Sequence, residues 1–174
     1  MATLQARLAR GDQAAFDELY YAYADRVGHY LLVRLSSRDD ADDVLQETFC
    51  RLARIRHKLA KVDDLDAYIL TIARNEAARL AAGNARRQQR QEPLHSEDLF
   101  CCQSSDTDVR ETAEIVATAL SQLSDDLREI VELKTYAGLT FYQISQVTRL
   151  PQGTVATRYR SAVAKMQTRF VRQP

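Results

Sequence analysis

The residues of this 174-residue chain that could do chemistry fall into three groups, each suited to a different task. Two carboxylate pairs, Glu111 with Glu114 and Glu129 with Glu132, have the i, i+3 spacing that puts both acids on one helix face, suited to holding magnesium for nucleotide hydrolysis. Asp39, Asp40, Asp42 and Asp43 crowd four carboxylates into five positions. A metal site is one reading of that run. The simpler reading is a helix start, where carboxylates face the positive end of the dipole. His95, Cys101 and Cys102 are the remaining candidate ligands, but adjacent cysteines lack the CxxC spacing of a zinc site. The third group is basic. Five arginines against one acid, Glu76, run from Arg74 to Arg90, and five Arg and two Lys run from Lys134 to Pro174 with no acid at all. Stretches of this kind attract phosphate backbones. No Ser-His-Asp set, Cys-His pair or Gly-rich phosphate loop is visible, so the expectation is a binding protein rather than an enzyme, with no cofactor and no metal.

The charge sum hides this partition. Lys and Arg number 24 against 24 Asp and Glu, which would argue against a nucleic-acid partner if the charges were mixed evenly. They are not: the basic stretches suit DNA, whereas Asp39 to Asp43 suits a basic protein surface. Apolar residues make up 45% of the chain, but charges interrupt every apolar stretch well before the roughly 18 residues a bilayer span needs. Arg7, Arg10 and Asp12 stand where a secretory signal would carry its apolar run. The expectation is a cytoplasmic protein with no membrane insertion, and its odd number of cysteines, three, is expected to be reduced.

The elements that must position these residues are helices. Gly and Pro are scarce, and apolar residues recur at three- and four-residue intervals. Phe16, Leu19, Tyr20, Tyr23, Val27, Tyr30 and Leu31 define one apolar face, and the stripe of Tyr20, Tyr21 and Tyr23 reads as core packing with one exposed ring. A second helix starts at the Asp cluster and turns Val44, Leu45, Thr48, Phe49, Leu52 and Ile55 inward. A third follows Asp64, after a polar loop from His57. Residues 92–108, with Pro93, Ser104, Ser105 and Thr107, lack helical periodicity and read as a linker. The fold expected is therefore all-α, with two small helical domains, 1–91 and 109–174, joined by a flexible linker. In the second domain Ser124 is placed to cap one helix and Gly138 to end it. Thr140 is placed to cap a short helix, Arg149-Leu150-Pro151 breaks it, and a longer basic helix follows. That order is a helix-turn-helix, in which Gln152, Thr154, Ala156 and Thr157 face the major groove while Arg158, Arg160 and Lys165 reach phosphates. The alternative is a helical hairpin with a solvated basic face.

Two separated blocks now resemble the extracytoplasmic-function sigma factors of bacterial RNA polymerase. The first is Gly11 to Tyr20 (GDQAAFDELY), then DDADDVLQETFCR from Asp39, then Ile72-Ala73-Arg74-Asn75. The second is LSDDLREIVELKTYAGLTFYQISQVTRLPQGTVATRYRSAVAKM from Leu123 to Met166. The resemblance implies a subunit that binds core RNA polymerase, directs it to promoters and nucleates DNA melting, with no catalysis of its own. By position, it implies polymerase docking by Asp39, Asp42, Asp43, Gln46 and Glu47. It implies recognition of the minus-ten element by His57, Lys58, Lys61, Asp63, Tyr68, Arg74, Asn75 and Arg79, including capture of a flipped base. It implies minus-thirty-five contacts from Gln152, Thr154, Ala156, Thr157, Arg158, Arg160 and Lys165. An anti-sigma factor is a further partner it brings to mind.

Three positions depart from the family pattern. Tyr68 replaces a frequent Trp, which leaves a smaller stacking platform. Arg149 stands at a turn position where Gly is frequent, and Ala156 where a basic residue is frequent. Two other functions compete. A transcription regulator sharing only the helix-turn-helix leaves Asp39 to Glu47 and Arg74-Asn75 unexplained. An all-α metal-dependent nucleotide pyrophosphohydrolase needs the glutamate pairs as ligands, although acid pairs exposed on helices are common.

Overall fold

The computed structural model describes residues 3–88 and 115–170, and every regular element among them is an α-helix. The linker read from residues 92–108, with His95, Cys101 and Cys102, lies outside the described residues, as do Glu111 and Glu114. No helix among the described residues is long and apolar enough to cross a membrane.

Local chemistry fixes where each helix begins. Helix α1 (Leu4–Ala9) starts at Thr3, whose hydroxyl accepts from the Ala6 N–H. Helix α2 (Gln13–Leu35) starts at Asp12, which accepts from Ala15, after a turn in which Gly11 takes φ +79, a left-handed value that glycine adopts at no steric cost. Helix α3 (Arg38–Arg54) is capped by Ser37 and carries Asp39 and Asp40 in its first turn, facing the positive end of the dipole. A four-residue helix, α4 (Arg56–Leu59), leads into α5 (Leu65–Gln88), where Asp64 accepts from the Ala67 N–H at 2.9 Å. In the second unit α6 (residues 115–121) is followed by α7 (Asp125–Thr135), α8 (Phe141–Thr148) and α9 (Gln152–Phe170). Ser124 stands at the N-cap of α7 as expected, but its hydroxyl makes no capping bond to the helix backbone.

Leu19, Val27, Tyr30 and Leu31 of α2 close on Val44 and Leu52 of α3 and on Ile69, Leu70 and Ala73 of α5. This core does not end with the first unit. Ile130, Leu133, Leu139, Ile144 and Val147 belong to the same cluster, so α7 lies on α2 and α8 on α5. A smaller cluster of Leu120, Leu123, Leu127, Val131 and Ala162 closes α6, α7 and α9, with Val33 of α2 at its edge. Each fully buried Leu or Ile contributes about 1.5 to 3 kcal/mol, so contact between the units is a substantial part of the apolar burial.

Two readings from sequence are corrected. Tyr20 is 46% exposed and Tyr21 83%, so two rings of the stripe are exposed instead of one. Tyr20 lies at the rim of the α2–α3 contact, its ring 4.9 Å from that of Phe49. Glu129 and Glu132 are not solvated acids but are buried, because α7 turns them toward arginines of the first unit.

Candidate nucleic-acid and protein interfaces

Asp39, Asp42, Asp43 and Gln46 project from α3 as exposed side chains, while Glu47 is half-buried and pairs with Arg54 at 2.8 Å. Among the described residues no ion pair engages Asp39, Asp42 or Asp43, so three carboxylates on one helix remain open to an outside cation. The other end of α3 is tied to α5. Arg51 pairs with the buried Glu76, which also takes Arg79 at 3.2 Å.

Residues expected to meet the opened strand lie on α4, on the segment that follows it and along α5. His57 and Lys58 on α4, and Lys61 and Asp63 beyond it, are exposed. Leu59 is buried, which pins this segment, and α1 packs on α4. Tyr68 is half-buried, and Asn75 and Arg79 are exposed. Arg74 differs. Its Nε and Nη2 donate to the two carboxylate oxygens of Glu129 at 2.6 and 3.0 Å, a bidentate fork between the units. That hydrogen bond, followed in size by the opposing effect of burial, holds the Arg74 guanidinium above its already high ordinary pKa.

Two further contacts join the units. Arg34 of α2 donates to Asp125 at 2.9 Å and to Glu132 at 3.4 Å. Burial opposes the charge on Arg34, but the bond to Asp125 and the nearby carboxylates outweigh it. Glu132 has no solvent exposure, and its Oε1 accepts no hydrogen bond from the protein, so burial pushes its carboxyl up to about 7 against the lowering effect of Arg34 and Arg128. Gln143 forms the third link. Its Oε1 accepts from the Thr140 N–H at 2.9 Å, closing a capping box on α8, while its Nε2 donates to both oxygens of Asp64 at 3.0 and 3.2 Å. One side chain thus connects the N-caps of α8 and α5.

Sequence reading missed Arg34, Glu132 and Gln143 in these roles. The signal was present for two of them: Arg34 interrupts the apolar run LLVRL and Glu132 the run IVELK, and a charge inside a core stripe must be paired.

In the second unit α8 and α9 pack through Ile144, Val147, Val155 and Ala162, with the rings of Phe141 and Tyr159 5.5 Å apart. The break between them is Arg149 at φ 59, the left-handed conformation expected of a turn position suited to glycine. At the start of α9 Gln152 and Thr157 are exposed and Thr154 and Ala156 half-buried. Arg160 and Lys165 are exposed farther along, while Arg158 pairs with Asp126 at 3.1 Å. Short helix, left-handed break and longer basic helix with polar N-terminal residues define a helix-turn-helix DNA-binding protein.

The two units match two families: Sigma-70 region 2 over residues 19–91 and Sigma-70, region 4 over residues 113–166. The chain is 27% identical over 168 residues to the ECF RNA polymerase sigma-E factor of Haemophilus influenzae, covering 87% of this chain and 85% of that one. It is 26% identical over 163 residues to the ECF RNA polymerase sigma factor RpoE of Cereibacter sphaeroides, covering 90% and 86%. Two solved structures share the fold. CnrH in complex with the cytosolic domain of CnrY has a TM-score of 0.72 at 22% identity, covering 98% of this chain and 97% of that one. The Bartonella quintana RpoE in complex with the anti-sigma factor NepR has a TM-score of 0.73 at 21% identity, covering 91% and 98%. The chain belongs to the extracytoplasmic-function sigma factors of RNA polymerase. It therefore binds core RNA polymerase and promoter DNA and directs transcription initiation.

Proposed function

We propose that the two units divide this task by residue. The acidic face of α3, Asp39, Asp42, Asp43 and Gln46 with Glu47 beside them, docks on a basic surface of core polymerase. His57, Lys58, Lys61, Asp63, Tyr68, Arg74, Asn75 and Arg79 hold the opened minus-ten strand. Backbone charge is met by the lysines and arginines, and Tyr68 offers a ring for base stacking. The N-terminal turns of α9, through Gln152, Thr154, Ala156 and Thr157, read the minus-thirty-five element, with Arg158, Arg160 and Lys165 on phosphates. The observation that carries this reading is the open charge on α3: three exposed carboxylates that no ion pair among the described residues engages. The chain works in the cytoplasm and without catalytic chemistry of its own. An anti-sigma factor is a further partner, supported by the relative held by NepR.

Purified protein with bacterial core polymerase, tested by run-off transcription on fragmented genomic DNA, should give discrete transcripts that depend on the protein. Asp43→Ala and Gln46→Ala should weaken core binding in a pull-down or titration while leaving binding to duplex promoter DNA unchanged. Equal loss of both activities would place those residues in folding instead of docking.

A further inference from the structure

The outward side of α8 carries donors that the protein itself does not use. Tyr142, Gln146 and Arg149 stand at i, i+4 and i+7, so they share one face, and all three are exposed. The opposite face holds the buried Ile144 and Val147. Among the described residues none of the three side chains makes a hydrogen bond or ion pair. Arg149 is the clearest case. Arg128 and Lys134 donate to main-chain carbonyls, Arg160 donates to that of Ala156 at 3.3 Å, and Arg158 pairs with Asp126. Of the second unit's described cationic side chains, only Arg149 and Lys165 are left without such a bond. Arg149 is so at a cost to the backbone, because φ 59 strains a residue that carries a Cβ. Glu132 is the last acid of the chain, so no carboxylate of α8, of the break or of α9 offsets this charge.

The position of Arg149 points to what it meets. It precedes Gln152, the first residue of α9, by three positions, and three residues span at most about 11 Å. The major groove is about 12 Å wide. With the N-terminal turns of α9 in that groove, Arg149 stands beside its wall, where the phosphates run, and Gln146 lies one turn back along α8 on the same side. Tyr142, seven residues from the break, is about 10 Å farther along the helix and lies beyond that phosphate. We propose that Arg149, with Gln146 beside it, grips a backbone phosphate of promoter DNA at the edge of the groove that α9 reads. This rests on the reading of α9 as the element that meets the minus-thirty-five sequence. The strain at position 149 is then a local cost of holding a cation in the turn, offset when DNA is bound.

The test uses the full chain assembled with core polymerase on a promoter fragment recovered by run-off transcription. Arg149→Gly should weaken promoter binding about fivefold, the upper end for an exposed ion pair, and lower the slope of log affinity against log salt by about one. Arg149→Lys keeps the charge and should keep the slope. The urea midpoint of Arg149→Gly should rise at the same time, which separates lost affinity from lost folding. Duplexes in which single phosphates beside the minus-thirty-five element are replaced in turn by uncharged methylphosphonates locate the contact: one replacement should weaken wild type and leave Arg149→Gly unaffected. If Arg149→Gly changes neither affinity, slope nor methylphosphonate profile while Arg160→Ala lowers the slope, the proposal alone is overturned. If Gln152→Ala and Arg160→Ala are as silent as Arg149→Gly, the reading of α9 falls and the proposal falls with it. Weaker capture of core polymerase by Arg149→Gly without DNA, at an unchanged methylphosphonate profile, would also overturn it and give this face to a protein.

Discussion

Glu132→Gln should stabilise the protein at alkaline pH and do little in acid. Glu132 is wholly buried, and Arg34, its nearest cation, is 3.4 Å away and engaged more closely by Asp125. Arg128 and Tyr30 also lie close enough to interact with it, and its Oε1 accepts no hydrogen bond from the protein. Burial therefore dominates and lifts the carboxyl from 4.5 to about 7. A pKa raised in the folded state means a proton is taken up on folding. That contribution is complete below about 4.5 and is lost as pH rises through about 7. The gap between these values is worth about 3 kcal/mol when fully expressed, and about 2 to 3 kcal/mol of it develops between about pH 5 and about pH 8. Glutamine keeps the size of the side chain and cannot ionise. Urea unfolding followed by helical circular dichroism, on wild type and variant at both pH values, should show the variant gaining on wild type by that amount as pH rises. A difference between the two proteins that is equal at both pH values would refute the argument that an ionised Glu132 is costly.

Three other substitutions probe separate parts of the structure. Arg149→Gly should stabilise by up to about 1 kcal/mol, because φ 59 strains any side-chain-bearing residue; a lower urea midpoint would show that the arginine makes a compensating contact. Thr140→Ala removes one half of the α8 capping box and should cost about 1 kcal/mol in the same measurement. Arg160→Ala should weaken duplex promoter binding on every sequence and reduce the slope of log affinity against log salt by about one, whereas an unchanged slope would place Arg160 off the DNA.

Helix positions were legible in the sequence wherever an apolar stripe ran for several turns, as in α2, α3, α5 and α9. Helices α1 and α4 were not, because six and four residues are too few to show a period. The break at Arg149 was legible from the chemistry of the turn, and Thr140 from its capping position. The acidic face of α3 could also be read in advance, since four aspartates in five residues cannot all be buried. What sequence could not supply was the pairing of distant charges. Arg74 reads as a free cation in a basic segment, and only the fold brings Glu129, 55 residues later, to its side.

That pairing also accounts for the charge balance of the chain. A protein that holds DNA on two surfaces would be expected to be basic, yet this one carries equal numbers of acidic and basic side chains. The four acids of α7 explain part of the balance, because each is paired with an arginine: Asp125 and Glu132 with Arg34, Glu129 with Arg74, and Asp126 with Arg158. Two of those arginines, Arg74 and Arg158, belong to the proposed DNA surfaces. Helix α7 thus neutralises a member of each surface from one element, one across the contact between units and one within its own unit. Neutrality in this chain reflects cations already occupied, so the charge available to DNA depends on the position of α7. In a salt titration of single-strand binding, the slope for the full chain should therefore be smaller than its count of lysines and arginines implies, and should steepen by about one when Glu129→Gln frees Arg74. An identical slope in wild type and variant would show that Arg74 meets no phosphate even when released.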